Sequence, residues 1–239
     1  MNILTIDTSF SLASIAITAG EKVLAEALFN ADRCLSARLI PEIERLFSIT
    51  GHSCKEIDLF ACSIGPGSFT GVRGGVATTQ GLALAAEKPC IGFSTLALLA
   101  MNFPLAAQPV CTILDARKGE VYAALFGCSG GIPTALINDC VLAPEQLLAT
   151  LLEKTDKGII FTGDGAQRYR EIIVDHLGER AIFAPFPYQC ASASKGALLA
   201  LDGYHRGLAT DPSRLLPVYL RPSEAEYAKI ERQQSLKQK

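Results

Sequence analysis

A glycine-rich turn between an apolar strand and a helix of small residues constrains this chain most. Residues 58–63 are predicted to form the strand, and residues 64–73 read Ile-Gly-Pro-Gly-Ser-Phe-Thr-Gly-Val-Arg. Gly65 and Gly67 tolerate backbone angles that other residues avoid, and the proline between them stiffens the turn. Ser68 is a suitable N-cap for the helix that follows. We therefore predict a strand, a tight turn and a helix in succession.

The predicted helix carries several glycines, each of which costs about 1 kcal/mol relative to alanine in an exposed helix. Gly71, Gly75 and Thr78 share one helix face, and Gly74, Thr78 and Gly81 share an overlapping one. A face this flat lets another helix approach closely. The spacing alone leaves two interpretations open, which are packing inside the chain's own domain and contact with a partner protein.

Two better-known glycine motifs match poorly. A Walker phosphate loop needs Lys and then Ser or Thr after its last glycine, whereas Gly71 is followed by Val72 and Arg73. A dinucleotide fingerprint needs a glycine three residues after Gly67, and threonine occupies that position. The glycine turn therefore does not predict either kind of nucleotide site.

Composition narrows the class of protein. The 239 residues are 49% hydrophobic and 19% charged, which is typical of a well-filled globule. The net charge of −2 gives no overall attraction to nucleic acid, although a local basic patch remains open. Eight cysteines lie in separate segments without a C-x-x-C pair, which favours reduced core residues in a cytosolic protein.

Targeting segments are not expected. The first basic residue is Lys22, so the start lacks the charged leader of a secretory signal. Residues 89–114 carry no charge, but prolines and amides interrupt them, and we expect buried strands and a helix there instead of a membrane span. We predict a cytoplasmic protein.

The same order of elements occurs twice. An acidic bend, Asp7-Thr8-Ser9, separates the first two strands, and Asp115 lies at the bend of a second hairpin. The strand and glycine turn at Gly65 recur at Gly163, again before a helix. Repetition of this kind indicates a duplicated architecture. We predict two lobes, each with a three-stranded meander followed by a strand–turn–helix unit.

The lobes are predicted to divide the chain unevenly. Residues 1–106 form the first lobe, which a helix at 192–206 completes, and residues 107–190 form a smaller second lobe. Residues 207–239 form a C-terminal extension with a loose charged tail. The fold class is α/β, with sheets flanked by helices.

An amphipathic helix precedes the glycine turn. Leu35, Leu39, Ile43 and Leu46 recur at the spacing of one helix face, and Pro41 is expected to kink the helix.

The acidic bends suggest one kind of chemistry. Hydroxyls and backbone N–H groups at Asp7-Thr8-Ser9 are suited to phosphate oxygens, and carboxylates hold Mg²⁺ through water. Gly65, Gly67 and Asp115 would complete such a nucleotide site. The alternative is an Asx-type turn in each hairpin, which we favour for the second bend because residues 115–119 lack a glycine pair and a hydroxyl.

Few residues are candidates for metal-dependent or nucleophilic catalysis. The three histidines, His52, His176 and His205, have no second ligand at helical spacing, so no zinc or iron site is predicted. Ser68 does not lie in a G-x-S-x-G elbow and has no histidine near it in the sequence.

Four segments resemble the bacterial TsaB family, also called YeaZ. They are Ile-Leu-Thr-Ile-Asp-Thr-Ser at 3–9, Gly-Pro-Gly-Ser-Phe-Thr-Gly-Val-Arg at 65–73 with Gln-Gly-Leu-Ala at 80–83, Asp-Ala-Arg-Lys-Gly-Glu-Val-Tyr at 115–122, and Pro-Val-Tyr-Leu-Arg at 217–221. The similarity extends over nearly the whole chain, and the second segment is highly specific. It implies two RNase H-like lobes of the actin-like ATPase class.

The resemblance also implies a function. TsaB proteins take part in threonylcarbamoyl modification of the adenosine next to the anticodon, in tRNAs that read codons beginning with A. They are non-catalytic partners of the related catalytic subunit TsaD, and the ATPase TsaE joins the complex. Catalytic relatives carry a histidine-rich metal motif after the glycine-turn helix, whereas residues 91–103 contain no histidine. The older view of the wider group as glycoproteases requires that same metal site.

The resemblance implies a shared interface for homodimers and for the catalytic partner, on the helices that match 35–46 and 70–86. The predicted interface residues are Leu35, Leu39, Ile43, Leu46, Phe69, Thr70, Gly71, Val72, Gly74, Gly75, Thr78 and Gly81. One departure is Cys34, since relatives often have histidine before the Ser or Thr that Ser36 provides here.

The expected ligands follow from the same resemblance. No cofactor is expected to bind tightly, and ATP or ADP with Mg²⁺ is expected to contact the chain at the interface with the partner. The chain is expected to reach tRNA through the complex. The competing hypothesis is an enzyme in its own right, an actin-fold ATPase or phosphotransferase that uses Asp7 and Asp115.

Overall fold

The computed structural model describes residues 1–31 and 34–221. Within these residues ten strands form two five-stranded mixed sheets, and helices cover their faces. The prediction of an α/β fold with two helix-flanked mixed sheets is therefore confirmed. The tail that we predicted to be loose and charged, residues 222–239, lies outside the described residues.

The first sheet has a buried centre and an exposed edge. Its strands are β1 (Asn2–Asp7), β2 (Leu12–Ala19), β3 (Lys22–Asn30), β4 (Leu59–Ser63) and β5 (Cys90–Phe93), in the spatial order β3-β2-β1-β4-β5. The first three strands form an antiparallel meander, and β4 and β5 run parallel to β1. Helices cover both faces of β1, which explains its nearly continuous apolar run.

The second sheet repeats this topology. Its strands are β6 (Val110–Arg117), β7 (Glu120–Gly127), β8 (Thr134–Leu142), β9 (Ile159–Thr162) and β10 (Ala181–Phe183), in the order β10-β9-β6-β7-β8. Each strand thus occupies the place of its counterpart in the first sheet, which confirms the predicted duplication. No bounds are predicted for β8 from the sequence, because this edge strand carries polar residues, and the three-residue β10 is not predicted.

Seven helices surround the sheets in the described part of the chain. They are α1 (Leu35–Thr50), α2 (Phe69–Ala86), α3 (Thr95–Ala100), α4 (Pro144–Lys154), α5 (Asp164–Arg168), α6 (Arg170–Leu177) and α7 (Ala193–His205). Helices α1 and α2 pack on one face of the first sheet and α7 packs on β1, β2 and β5. Helix α3 joins the core between the two sheets. No described helix is both long and apolar enough to cross a membrane.

Two helix predictions need correction. The single helix predicted after the turn at Gly163 is divided at Tyr169 into α5 and α6. Helix α1 continues to Thr50, four residues beyond the last apolar position of the predicted stripe, and keeps Pro41 inside it. The N-cap of α2 is Ser68, whose hydroxyl accepts a hydrogen bond from the backbone N–H of Gly71 at 3.3 Å.

Glycines in and before α2 let the helix lie against the bend between β1 and β2. A Cβ atom at Gly71 would clash with the carbonyl oxygen of Thr8, and one at Gly67 would lie 2.5 Å from that of Ser9. The Thr8 hydroxyl donates a hydrogen bond to the Gly71 carbonyl at 2.7 Å. Close packing inside the chain's own domain therefore offsets the cost of these glycines. Gly81 differs, because a Cβ there would meet no atom within 4 Å.

This difference predicts opposite effects for one substitution at two positions. We expect Gly71→Ala to lower the free energy of unfolding by about 1–3 kcal/mol, because the added methyl group overpacks the contact with Thr8. We expect Gly81→Ala, the matched control on the exposed side, to raise it by up to about 1 kcal/mol through helix propensity alone. Urea denaturation of both variants measures the difference, and equal effects would contradict the assigned packing.

Candidate functional site

An open cleft of about 1690 Å³ lies where the two repeated hairpins meet. The Thr8–Ser9 bend and the beginning of α2 line one side, and the bend of the second hairpin, residues 114–118, lines the other. Residues 218–221 complete the wall. The structure therefore brings both predicted acidic bends to one cleft.

Asp7 lies beneath the surface of this cleft. Its side chain is fully buried, and its Oδ1 accepts hydrogen bonds from the backbone N–H of Ser9 and from the hydroxyls of Ser9 and Ser63, at 3.1, 2.5 and 2.5 Å. Its Oδ2 has no hydrogen-bond partner among residues 1–31 and 34–221. Burial raises the pKa of the Asp7 carboxyl, and the three hydrogen bonds act in the opposite direction. Asp7 thus fixes the bend from inside.

The residues that we predicted to hold a nucleotide contact other groups of the chain itself. The Thr8 and Ser9 hydroxyls donate to Gly71 and Asp7. A Cβ at Gly65 would lie 2.7 Å from the carbonyl oxygen of Val218, so this glycine packs against the chain's own backbone. Both hydroxyls therefore donate within the chain, and the Asp7 carboxylate that would hold Mg²⁺ through water is buried. The described residues also include no group of three or more His, Cys, Asp or Glu that could hold a metal ion.

Asp115 forms ion pairs with two arginines at the second bend. Its Oδ2 lies 3.4 Å from Arg117 Nη1 and 3.2 Å from Arg168 Nη1, and its Oδ1 accepts from the Arg117 backbone N–H at 3.0 Å. Asp164 lies beside it and accepts a hydrogen bond from the Asp115 backbone N–H at 3.1 Å. Burial raises the pKa of Asp164. The turn within residues 115–117 matches the Asx-type alternative that we favoured for this bend.

The last described segment connects the two halves across the cleft. Its Val218 N–H donates to the Ile64 carbonyl at 2.8 Å, and the Tyr219 hydroxyl accepts from Arg73 Nε at 2.6 Å. Arg221 then reaches the second hairpin, where its Nη1 donates to the Ala116 carbonyl at 2.9 Å. No bridging role is predicted for this segment from the sequence, because periodicity does not reveal contacts between residues so far apart in the chain.

The predicted interface residues divide into two groups. Six are buried in the described structure and fill the core under α1 and α2: Leu39, Ile43, Leu46, Gly71, Val72 and Gly75. A buried side chain cannot contact a second protein while the fold is intact. The prediction therefore needs correction for these six, because an amphipathic stripe marks the side of a helix that faces its own core.

The other six predicted residues lie on the accessible side. Leu35 is partly buried against the core, and Phe69 is exposed at the start of α2. Thr70, Gly74, Thr78 and Gly81 are exposed or partly exposed along α2, with Ala77 between them. We call these five α2 residues the small-residue face. Ile40 of α1, which is 44% exposed, lines the same cleft as Gly74 and Thr78 and was not predicted.

The folding pattern defines the class of protein. Two sheets of repeated topology that face each other across a cleft are RNase H-like lobes of the actin-like ATPase class.

Comparison with known proteins then gives the family. The family model for TsaD, tRNA N6-adenosine threonylcarbamoyltransferase, matches residues 22–229. The tRNA threonylcarbamoyladenosine biosynthesis protein TsaB of Bacillus subtilis is 30% identical over 98% of this chain and all of its own length, and that of Escherichia coli is 31% identical over 94% and 96%. YeaZ from Pseudomonas aeruginosa superimposes with a TM-score of 0.80 at 28% identity, over 92% of this chain and 99% of its own. The chain belongs to the TsaB (YeaZ) family.

The buried carboxyl of Asp7 predicts a pH dependence of stability. The folded-state pKa exceeds the unfolded value of about 3.9, so above that pH the unfolded chain releases a proton that the folded chain retains. The Asp7 contribution to the free energy of unfolding therefore falls as pH rises, by about 1.4 kcal/mol per unit of pKa difference.

The control for this prediction is Asp7→Asn, which keeps the shape and cannot ionise. We expect the stability of the natural chain relative to this variant to be highest at acid pH and to decline until pH exceeds the folded pKa. Thermal unfolding of both proteins in a buffer series measures the difference. A difference that does not change with pH would show that this carboxyl is not held in a desolvated site.

Proposed function

We propose that this chain is a non-catalytic partner subunit in tRNA threonylcarbamoyladenosine modification, which binds a TsaD-type catalytic subunit through the small-residue face. The observation that carries the proposal is that the glycines of α2 lie in two different environments. Gly71 and Gly75 pack against Thr8 inside the lobe, whereas Gly74, which is partly exposed, and Gly81, which is exposed, lie on an adjacent side of the helix. Packing inside the lobe explains why glycine occupies positions 71 and 75. It does not explain the glycines at positions 74 and 81.

The accessible side of α2 suits a helix–helix contact. Small residues along a helix let the backbone of a partner helix approach closely, and nearby apolar side chains then add buried area. Ile40 and Leu84 add exposed aliphatic surface on α1 and α2, at 44% and 56% exposure. Such a surface is typical of a protein–protein interface.

The identity of the partner follows from shared architecture. This chain matches the TsaD family model over residues 22–229, so a TsaD-type protein has the same order of elements, including counterparts of α1 and α2. Two copies of one layer of helices pair readily about a twofold axis. The same surface is then available to a second copy of this chain, and we expect the homodimer and the heterodimer to exclude each other.

The state of the cleft supports a non-catalytic role. Asp7 is buried, and the Thr8 and Ser9 hydroxyls donate to groups of the chain itself. We expect ATP or ADP with Mg²⁺ to contact this chain only where a partner subunit completes the site. A TsaE-type ATPase is expected to join the assembled pair.

Light scattering on the purified chain, alone and mixed with the TsaD-type protein of the same organism, tests the pairing. We expect a dimer that exchanges into a one-to-one heterodimer. If no heterocomplex forms with or without ATP and a TsaE-type protein, the proposed function is wrong.

Substitutions locate the interface. We expect Ala77→Arg and Thr78→Arg to weaken heterodimer formation at least about tenfold, because a long charged side chain separates the two helices and must be desolvated. Ala149→Arg is the matched control, since Ala149 is an exposed alanine on α4 of the other lobe. Circular dichroism checks that all three variants are folded. Undiminished binding by both α2 variants would place the interface elsewhere.

Calorimetry with Mg-ATP tests the alternative, an ATPase that acts alone. We expect the isolated chain to show no tight binding, because the predicted phosphate-binding hydroxyls are bonded within the bend. Tight binding and turnover that Asp7→Ala abolishes would promote the enzyme hypothesis and contradict the non-catalytic role.

A further inference from the structure

We infer that the cleft binds a single-stranded segment of RNA. This inference deepens the proposed function and rests on it for the identity of the RNA, which would be the unpaired loop of a tRNA substrate. The inference depends on the charged groups and aromatic rings that line the cleft among the described residues. The proposed interface on α2 depends on neither of these features.

The first support is the sign of the accessible charge. Arg73, Arg117 and Lys118 line the cleft and are exposed. The lining also contains two acidic residues: the Asp115 side chain is 8% exposed and is paired with arginines, whereas Asp164 is exposed. Four cationic residues, with Arg221 as the fourth, thus outnumber the two acidic residues in the lining of the cleft, although the net charge of the chain is −2. Basic clefts attract phosphate groups of nucleic acid.

The second support is the set of exposed rings on the same surface. Phe69, Tyr219 and Phe186 line the cleft and are 40%, 44% and 79% exposed. The Arg73 guanidinium lies over the Phe69 ring, with its central carbon 3.7 Å from the ring centroid. Rings and stacked arginines beside a basic track are the surfaces on which unpaired bases stack.

These two features together favour RNA over an acidic peptide. A peptide carboxylate would use the basic groups alone and would leave the rings in water. A nucleotide strand uses both, since its phosphates and its bases alternate along the chain. The bases of duplex RNA would not reach the rings, because they are stacked inside the RNA helix.

The position of the cleft fits the proposed assembly. Gly74, Ala77 and Thr78 of the small-residue face line the same cleft, so a strand bound there lies next to the partner subunit. The chain would then hold substrate RNA beside the catalytic subunit, in addition to supporting that subunit.

Fluorescence anisotropy with a labelled tRNA anticodon stem-loop, measured with the chain alone and with the heterocomplex, tests the inference. We expect the double variant Lys118→Glu/Phe186→Ala to bind at least about tenfold more weakly and with a smaller dependence on salt. The matched control is Lys157→Glu/Tyr204→Ala, which makes the same charge change and removes an exposed ring away from the cleft. We expect the control to bind within about twofold of the natural chain.

A conservative pair separates stacking from a structural role. We expect Phe186→Tyr, which keeps the ring, to retain affinity, and Phe186→Leu, which keeps only apolar bulk, to lose it. Equal affinity of these two variants, or equal losses in the cleft and control variants, would overturn the inference. So would the absence of RNA binding by both chain and heterocomplex, or binding of Mg-ATP as tight as that of the RNA with the same dependence on Phe186.

Failure of the RNA inference can be distinguished from failure of the proposed function. Heterodimer formation is measured by light scattering without RNA. If the heterodimer forms and the cleft variants bind RNA normally, only the RNA inference is wrong. If no heterodimer forms, the proposed function is wrong whatever the RNA affinity of the chain.

Discussion

The contact between the start of α2 and the Thr8–Ser9 bend holds the first half of this protein together. Gly67 and Gly71 bring the helix so near that backbone oxygens of the bend occupy the space of a side chain, and the Thr8 hydroxyl donates across the contact. Asp7 secures the bend from below through three hydrogen bonds. The position of α2, and therefore both the cleft and the small-residue face, depends on this contact.

The sequence predicts most of the fold because the repeated pattern is strong in buried elements. The strand, glycine turn and helix around Gly65 form as predicted, and the second occurrence at Gly163 identifies the duplication. The weak points are β8 and β10, an edge strand with polar residues and a strand of three residues. Pattern analysis fails there because a strand with little buried surface has little alternation to detect.

The site is harder to predict than the fold, for a physical reason. Periodicity marks the apolar side of a helix but does not say whether the chain's own core or a partner covers it, so Leu39 and Ile43 were assigned to an interface although they fill the core. Likewise Asp7 is a carboxylate of the kind that holds Mg²⁺ in a nucleotide site, yet in the structure it is buried and hydrogen-bonded to Ser63. Contacts over long sequence separations, such as Arg73 with Tyr219, leave no local pattern.

The order of elements along the chain also determines when each half can be completed during synthesis. The second sheet is built from the continuous segment 110–183, so it can close as soon as that segment has left the ribosome. The first sheet is begun earlier, but α7 at 193–205 covers one of its faces and Val218 bonds to the end of its fourth strand. The half that is translated first therefore receives its last segments only after the whole of the second sheet has been translated.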